Sequence, residues 1–501
     1  MKIFTAAQIR AWDKYTIENE PIASVELMNR ASRVFTEWFA GQYPDTTRPV
    51  VIIAGTGNNG GDGLAVARYL HRMFYDAKVL VYTFGEKRSA DFDAQVSLLP
   101  PHGAVEMQWM EQTKEFPAVP AGAILIDALF GSGLSRPLSG HWAEVVHWIN
   151  SLPNEVASID LPSGLFCDQS TENQVVVLAD KTFSFETPKR AFFMPENAGR
   201  VGVWYFESIG LHRGFEQQES SSFHYLTPED IAPLRIPRKK YAHKGTYGHA
   251  LLVCGSYGKI GAAVLAARAC LRAGVGLLTV HVPKCGYNIL QTAVPEAMTE
   301  TDDHEHFFTQ VPDIQNYTTI GVGPGLGTAP ETASALEQLI RQAGTPMVLD
   351  ADALNLLAQH PDWWAFLPKN SILTPHPKEF ERLFGPTSND FERNDLQRAK
   401  AQEHQVFIVL KGAHTAIAAS DGTCWFNSTG NPGMATGGTG DVLTGILTGL
   451  LAQGYSSLHT CLLGVYLHGL AGDSAAHILG QEALTAGDLV DYLGSAWNKI
   501  S

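Results

Sequence analysis

Along the chain, short runs of consecutive apolar residues alternate with longer stretches whose apolar positions recur every three or four residues. Pro49–Ala54, Lys78–Tyr82, Ala123–Asp127 and Glu155–Asp160 are runs of the first kind. They read as strands buried on both faces of a parallel sheet. Between and before them lie helical patterns. Thr5-Ala-Ala-Gln8 is a capping-box signal that opens a helix through Ile17. Ser24 caps a second helix through Phe39, with Leu27, Met28, Ala31, Val34, Phe35 and Trp38 on one face. Further helices are predicted over Leu64–Met73 and Trp142–Ile149, and edge strands over Asp180–Phe185 and Val201–Phe206. Strand and helix in alternation give a doubly wound α/β sheet.

The run Glu216–Ser222 is polar and low in complexity, and reads as a linker. Beyond it the alternation resumes, so the expected domains are 1–215 and 225–501. Thr227-Pro-Glu-Asp starts a helix. Strands are predicted at His249–Gly255, Gly276–Val282, Pro346–Asp352, Ser371–His376 and Val406–Thr415, Thr319–Gly327 ends a strand in a glycine loop, and a helix spans Ala262–Ala273. The last strand continues into a hairpin turning at Asp421-Gly422. A single three-layer α/β/α domain fits this order.

After the hairpin comes Asn431-Pro-Gly-Met-Ala-Thr-Gly-Gly-Thr-Gly-Asp441. Gly433, Gly437, Gly438 and Gly440 fall within the eight residues before Asp441, and the apolar run Val442–Leu451 follows as a buried helix. A glycine-rich turn feeding a helix presents free N–H groups at the positive end of the helix dipole, which suits phosphate oxygens. A carboxylate at that place repels a bound anion. It makes sense as a base that deprotonates a hydroxyl attacking phosphorus. A glycine turn with an Asp helix cap is the plainer alternative, but a cap needs one glycine at most.

Length and composition narrow the picture. At 501 residues the chain exceeds one ordinary core, and 45% hydrophobic with 17% charged residues is a globular mix. A formal net charge of −15 disfavours nucleic acid and acidic membranes as partners, so phosphates must be met by local donors. The six cysteines form no C-x-x-C pair, so no zinc knuckle or disulfide framework is expected. Neither a signal peptide nor a bilayer-spanning run is present, and a cytoplasmic location is expected.

Three polar clusters end the strands of the first half, where ligands of doubly wound sheets sit. They are Asn58-Asn59-Gly60-Gly61-Asp62, Asp127 with Gly131-Ser132-Gly133-Leu134-Ser135-Arg136-Pro137, and Asp160-Leu-Pro-Ser163. Each alone fits a turn or cap; together they favour a site. Gly55-x-Gly57-x-x-Gly60 also fits a dinucleotide fingerprint, but only Glu86 loosely meets its acidic position. The fingerprint gives no reason for Asn58, Asn59 or Asp62. In the second half, His376 is pinned between prolines at a strand end, and Lys411-Gly412-Ala413-His414-Thr415 follows a strand. Asp350, Asp352 and Asn355 form a weaker polar set that assists metal or substrate, or starts a helix. The basic segment Arg238–Gly248 lines a phosphate site or is a solvated loop. No G-x-x-x-x-G-K-[ST] P-loop occurs.

Gly55–Gly63, with Asp127-Ala-Leu-Phe-Gly-Ser-Gly133 and Asp160-Leu-Pro-Ser-Gly164, resembles the NAD(P)H-hydrate epimerase domain, a Rossmann-like fold. The second half, through Gly437-Gly-Thr-Gly-Asp441, is similar to ADP/ATP-dependent NAD(P)H-hydrate dehydratases, which are ribokinase-like. The order matches the bifunctional repair family over nearly the whole chain. The resemblance implies that the first domain interconverts the R and S epimers of NADHX and NADPHX, hydrated at C6 of the nicotinamide ring. The second would dehydrate the S epimer with ADP or ATP through a phosphorylated hydroxyl. By the same resemblance, Asn58, Asn59, Gly60, Gly61, Asp62, Gly131 through Pro137 and Asp160 contact the hydrate in the epimerase, with Asp160 moving the proton. Asn59, Asp127 and Ser163 hold a potassium ion; for Ser163 a turn role stays equally open. Ala263, Gly325, His376 and the catalytic Asp441 contact the hydrate in the dehydratase. Lys411, Gly412, Ala413, His414, Thr415 and Gly440 contact the nucleotide, with a magnesium ion on its phosphates. The expected partners are these small molecules, not nucleic acid or membrane, in a homo-oligomer. The main rival is a ribokinase-like small-molecule kinase fused to a nucleotide-binding domain, which would keep the phosphate on its product. A second rival is a nucleotide-sensing module without turnover, against which Asp441 argues.

Overall fold

The computed structural model describes residues 1–84, 87–100, 105–110 and 116–500. Glu86 lies outside the described residues. The chain divides into two compact units, one of residues 2–221 with 389–391, the other of residue 1, 222–388 and 392–501.

In the unit of residues 2–221 the described residues form a seven-stranded sheet. Its order is Glu106–Met110, Ala77–Tyr82, Val50–Ala54, Ile124–Ala128, Glu155–Ile159, Lys181–Phe185, Val203–Glu207, all parallel. This is the doubly wound order, and its direction reverses between Val50–Ala54 and Ile124–Ala128. The two-residue alternation of strands sorts side chains to opposite faces. Ile52, Ala54, Val79, Val81, Ile124 and Ile126 join Phe35, Phe39, Leu64 and Leu70 on one side. Val51, Ile53, Leu80, Leu125, Trp142, Val145 and Ile149 form the core on the other.

Four local expectations are corrected. Helix Ser24–Gln42 takes Ala23 as its cap and Ser24 as its first residue, because the Ser24 hydroxyl is turned to Asp91, 2.7 Å away. The third helix starts at Asn58, not Leu64, and runs to Arg72. Glycine and asparagine are weak helix formers, but close approach demands glycine here. A Cβ at Gly60 would strike the Gly55 carbonyl, and one at Gly63 would lie 2.7 Å from the Ala128 methyl. Glu216 to Gln218, expected in a linker, end the helix Arg213–Gln218. The strand expected over Pro346–Asp352 is only Met347–Leu349, and Asp352 starts the helix Asp352–Gln359.

The sheet of the second unit runs Phe223–Tyr225, Cys424–Phe426, Ala416–Ala418, Phe407–Leu410, Ile372–Leu373, Met347–Leu349, Thr319–Val322, His249–Val253, Leu277–Val282, Met298–Thr301. Ala416–Ala418 is antiparallel to both its neighbours, and the others pair in parallel. One face carries the helices Thr439–Ala452, Ser457–Leu479 and Ala486–Lys499 over Val348, Ile372, Val409 and Ile417. Leu251, Val253, Val322 and Leu349 pack on the other under helices Pro330–Gln342 and Asp352–Gln359. The switch in direction lies between His249–Val253 and Thr319–Val322. Among the described residues no helix is long and apolar enough to cross a membrane.

Candidate functional sites in the two units

In the first unit a cavity of about 710 Å³ opens at the carboxyl ends of the strands flanking the switch. Its walls include Asn58, Asn59, Asp62, all of Gly131 through Pro137, and Asp160. Gly60 and Gly61 are buried behind the wall, where they let the helix start pack tightly. Asp160 ends its strand at φ +65°, a conformation costly for a residue with a side chain. Its Oδ2 accepts the Ser132 amide at 3.0 Å, and its Oδ1 lies 3.2 Å from the Lys189 ammonium. Burial pushes the Asp160 carboxyl up, but the Lys189 charge and the Ser132 donors outweigh it and hold the group below its ordinary value. Gly131 separates Asp160 from Asn59: a Cβ there would sit 3.1 Å from Asn59 Oδ1 and 3.2 Å from Asp160 Oδ2.

Asp127 and Ser163 stand behind this wall as a bonded pair. The Ser163 hydroxyl donates to Asp127 Oδ1 at 2.6 Å and its amide to Oδ2 at 2.8 Å, while Ser158 donates to Oδ2 at 2.9 Å. Ser163 therefore does act as a turn former. Asp127 is fully buried, burial raises its carboxyl, and among the described residues no basic side chain pairs with it. The Asn59 Nδ2 is buried and lacks a partner.

In the second unit, helix Thr439–Ala452 begins after Gly438, whose φ of +94° turns the chain into the helix. A Cβ at Gly438 would lie 2.6 Å from Leu265 Cδ1. Asp441 is in the first turn, and no side chain caps the first amides of this helix. Burial, then the nearby Asp350, raise the Asp441 carboxyl to about 6, against the pull of Lys411. Lys411 lies 2.8 Å from Asp350 Oδ1 and 3.7 Å from Glu379 Oε2. Asp350 Oδ2 accepts the Thr444 hydroxyl at 2.8 Å, one turn after Gly440. The Lys411 ammonium is thus held among acids beside Asp441, whereas Gly412 and Ala413 leave their backbone exposed. His414 turns its Nδ1 to the Asn427 carbonyl at 3.2 Å, and the Thr415 hydroxyl closes the turn on the Gly412 carbonyl at 3.2 Å.

His376 serves its own helix. Its Nδ1 accepts the Lys378 and Glu379 amides at 3.1 and 3.3 Å, and Glu379 returns a bond to the His376 amide at 2.8 Å. The half-exposed Nε2 edge remains on the Glu379 side, 3.4 Å from its carboxylate. Ala263 and Gly325 lie at the switch: Ala263 is buried against Gly255, and the Gly325 carbonyl accepts the Ser256 hydroxyl at 2.7 Å. Asp352 accepts the Gly327 amide at 2.8 Å and faces Lys259 at 3.3 Å, so it orders that glycine loop, while Asn355 accepts Arg382 at 2.8 Å.

The arrangement in the second unit can place an anion against helix amides with a base beside it. A model of the NAD(P)H-hydrate dehydratase family matches residues 250–494, and one of the YjeF-related protein N-terminus matches residues 24–191. The bifunctional NAD(P)H-hydrate repair enzyme of Moorella thermoacetica is 35% identical, over 98% of this chain and 96% of its own. This chain belongs to the bifunctional NAD(P)H-hydrate repair enzyme family. Its Escherichia coli relative is 31% identical, over 98% of this chain and 93% of its own. The repair family's fold is also met among solved structures. The ADP/ATP-dependent NAD(P)H-hydrate dehydratase of Bacillus subtilis, co-crystallised with ATP and Mg2+, aligns with a TM-score of 0.50 at 35% identity, covering 56% of this chain and 99% of that one. A ribokinase-like protein of Enterococcus faecalis aligns at 0.51 and 27% identity, covering 56% and 98%.

Several residues around these two candidate sites escaped the reading of the sequence. Asp13 and Lys189 line the first cavity, far from any motif. Glu379, Thr444, His468 and Asp473 support the second site. His468 sets its Nε2 2.9 Å from the Thr439 carbonyl, and Asp473 takes the Gly430 amide and the Asn431 side chain at 2.9 Å each. Only Glu379 carried a signal, three residues after His376 in a capping-box pattern.

Proposed function

We propose that this chain restores hydrated NADH and NADPH in two steps, each unit performing one. The unit of residues 2–221 interconverts the R and S epimers at C6, and the other removes water from the S epimer at the expense of ADP or ATP. The observation that carries this reading is the raised Asp441 carboxyl beside the uncapped amides of Thr439–Asp441.

Hydroxide is a poor leaving group, so dehydration needs the C6 hydroxyl activated. Asp441 takes the hydroxyl proton, and the oxygen attacks the terminal phosphorus of the nucleotide. The amides of Thr439 and Gly440 stabilise charge on the transferring phosphoryl group. The ring-nitrogen lone pair then expels phosphate, and loss of a proton from C5 restores the dihydropyridine. Lys411, held by Asp350, keeps the Asp441 carboxyl from rising further and so favours its ionised form, and the exposed backbone of Gly412 and Ala413 receives the nucleotide. Ala263, Gly325 and His376 belong to the hydrate side of this proposal. Magnesium neutralises phosphate charge when bound. Both Asp350 oxygens are taken by Lys411 and Thr444, so the donor set suits an ion held by phosphates and water.

In the epimerase cavity, Asp160 is the ionised proton acceptor. A potassium ion would be held by oxygen atoms of Asp127, Ser163 and Asn59, since the buried Asp127 carboxyl lacks a cationic partner among the described residues. It would balance charge and stiffen the Asp127–Ser163 turn. A homo-oligomer in the cytoplasm completes the reading, with sedimentation as its check.

The deciding experiment adds purified protein and ADP or ATP to hydrated NADH. Near-ultraviolet absorbance should recover with one phosphate released per NADH. Phosphate retained on the organic product would mark a kinase instead.

A further inference from the structure

Asp13, on helix Ala6–Asn19, lines the same cavity as Asp160. The other acidic side chains of that cavity are engaged. Asp62 accepts Ser32 at 3.1 Å, Asp91 accepts Ser24 at 2.7 Å, and Glu186 accepts Ser208 and the Ile209 amide at 2.8–3.0 Å. Asp160 is held by Ser132 and Lys189. Asp13 alone takes part in no hydrogen bond or ion pair among the described residues, though it is half-buried. A partly desolvated carboxyl kept without a partner stabilises nothing, which points to a task with the ligand.

We propose that Asp13 is the second catalytic group of the epimerase cavity, donating a proton to the ring nitrogen of the hydrate while Asp160 accepts the C6 hydroxyl proton. The inference rests on the epimerase reading above. Hydrated C6 carries a hydroxyl and the ring nitrogen N1 together, and such a carbon inverts by opening its ring. Asp160 takes the hydroxyl proton, C6=O forms, and the C6–N1 bond breaks. The bonding pair goes to N1, which takes the Asp13 proton. Rotation about C5–C6 turns the other face of the aldehyde towards N1. N1 then adds to C6, its proton returns to Asp13, and the oxygen recovers the proton from Asp160. Nothing is oxidised or reduced, and both carboxyls end as they began.

Lys189 is unsuited to the donor role. Its ammonium is spent on the Phe185 and Thr187 carbonyls at 3.0 and 3.1 Å and on Asp160 at 3.2 Å. The charges around Asp13 favour a carboxyl that keeps its proton. Burial first, then Asp160, raise it to about 6, with Lys189 opposing and Glu186 adding. Asp62, Asp91, Arg10 and Arg136 complete the charged lining. Two carboxyls in one cavity with affinities for protons pushed apart make an acid and a base.

The test is Asp13→Asn in the full-length protein, assayed with the R epimer, with ADP-dependent dehydration of the S epimer as internal reference for active protein. The expected result is a fall in kcat of about 100-fold or more with KM nearly unchanged. Wild-type kcat should decline as pH rises through the range in which Asp13 ionises, and Asp13→Asn should lack that limb. Epimerisation within about threefold of wild type would overturn the proposal, since acid catalysis contributes at least about 100-fold. So would a raised KM with kcat intact, which marks a residue that only holds substrate, and so would a variant that no longer binds the R epimer, which marks a structural one. A wild-type protein that leaves the R epimer unchanged refutes the epimerase reading itself.

Discussion

Asp160 is buried and Asp441 half-buried, and their surroundings drive the two carboxylates in opposite directions. Asp441 is raised to about 6 by burial and by Asp350. A base must be ionised, so kcat/KM for S-epimer dehydration should climb with pH through about 6 and level off above. Lys411 opposes that rise, so Lys411→Met should move the limb to higher pH, read from the same profile. Asp441→Asn should keep nucleotide binding, measured by calorimetry, and lose dehydration by about 1,000-fold or more, as loss of a base in a concerted site does. Asp160→Asn should spare the S epimer and slow use of the R epimer; equal use of both would refute its role. The motif residues were legible because their spacing is local. Lys189 was not, since its meaning arises only when its chain folds back onto Asp160, and nothing near it in sequence announces that.

At the scale of elements, the glycines after Val50–Ala54 were read as loop, and their role as close-approach positions was missed. The turn after Val50–Ala54 was extended through Gly63, whereas the helix begins at Asn58. Intrinsic propensity lost to packing, because Gly60 and Gly63 meet Gly55 and Ala128 too closely for any side chain. The later loop was placed well, since Gly438 at φ +94° breaks the chain where the sequence suggested. Strands were legible as apolar runs, but edge detail such as Ser24 against Asp91 is a tertiary contact that no capping rule contains. The helices Ile260–Ala273 and Thr439–Ala452 touch through glycine: a Cβ at Gly445 would collide with the Ala266 carbonyl, and one at Gly449 would lie 2.7 Å from that of Cys270. Gly445→Ala gains about 1 kcal/mol in helix propensity, but overpacking against backbone costs about 1–3 kcal/mol. The clash should win, and thermal unfolding of the variant should begin at lower temperature than in wild type.

The whole molecule carries apolar cores on both faces of each sheet, and the residues of each proposed site come from one unit. That each half forms an α/β sheet followed from the alternation, whereas the strand order and the switch points emerge only in the fold. An equimolar mixture of Asp160→Asn and Asp441→Asn chains should therefore convert the R epimer to NADH, since the S epimer made by one chain can diffuse to the other. Absorbance recovery in the mixture, absent from either chain alone, is the measurement. No recovery would mean that the product must be handed over within one chain.

The glycine contact between Ile260–Ala273 and Thr439–Ala452 also constrains how the phosphate donor can be re-specified. With the middle turns of the helix wedged against a neighbouring backbone at Gly445 and Gly449, that stretch has no room for a new side chain. Directed evolution towards a different nucleotide would have to work on the opposite rim, where Gly412 and Ala413 face solvent. Libraries built there should yield soluble variants with altered donor preference, and those built at Gly445 or Gly449 mostly insoluble protein.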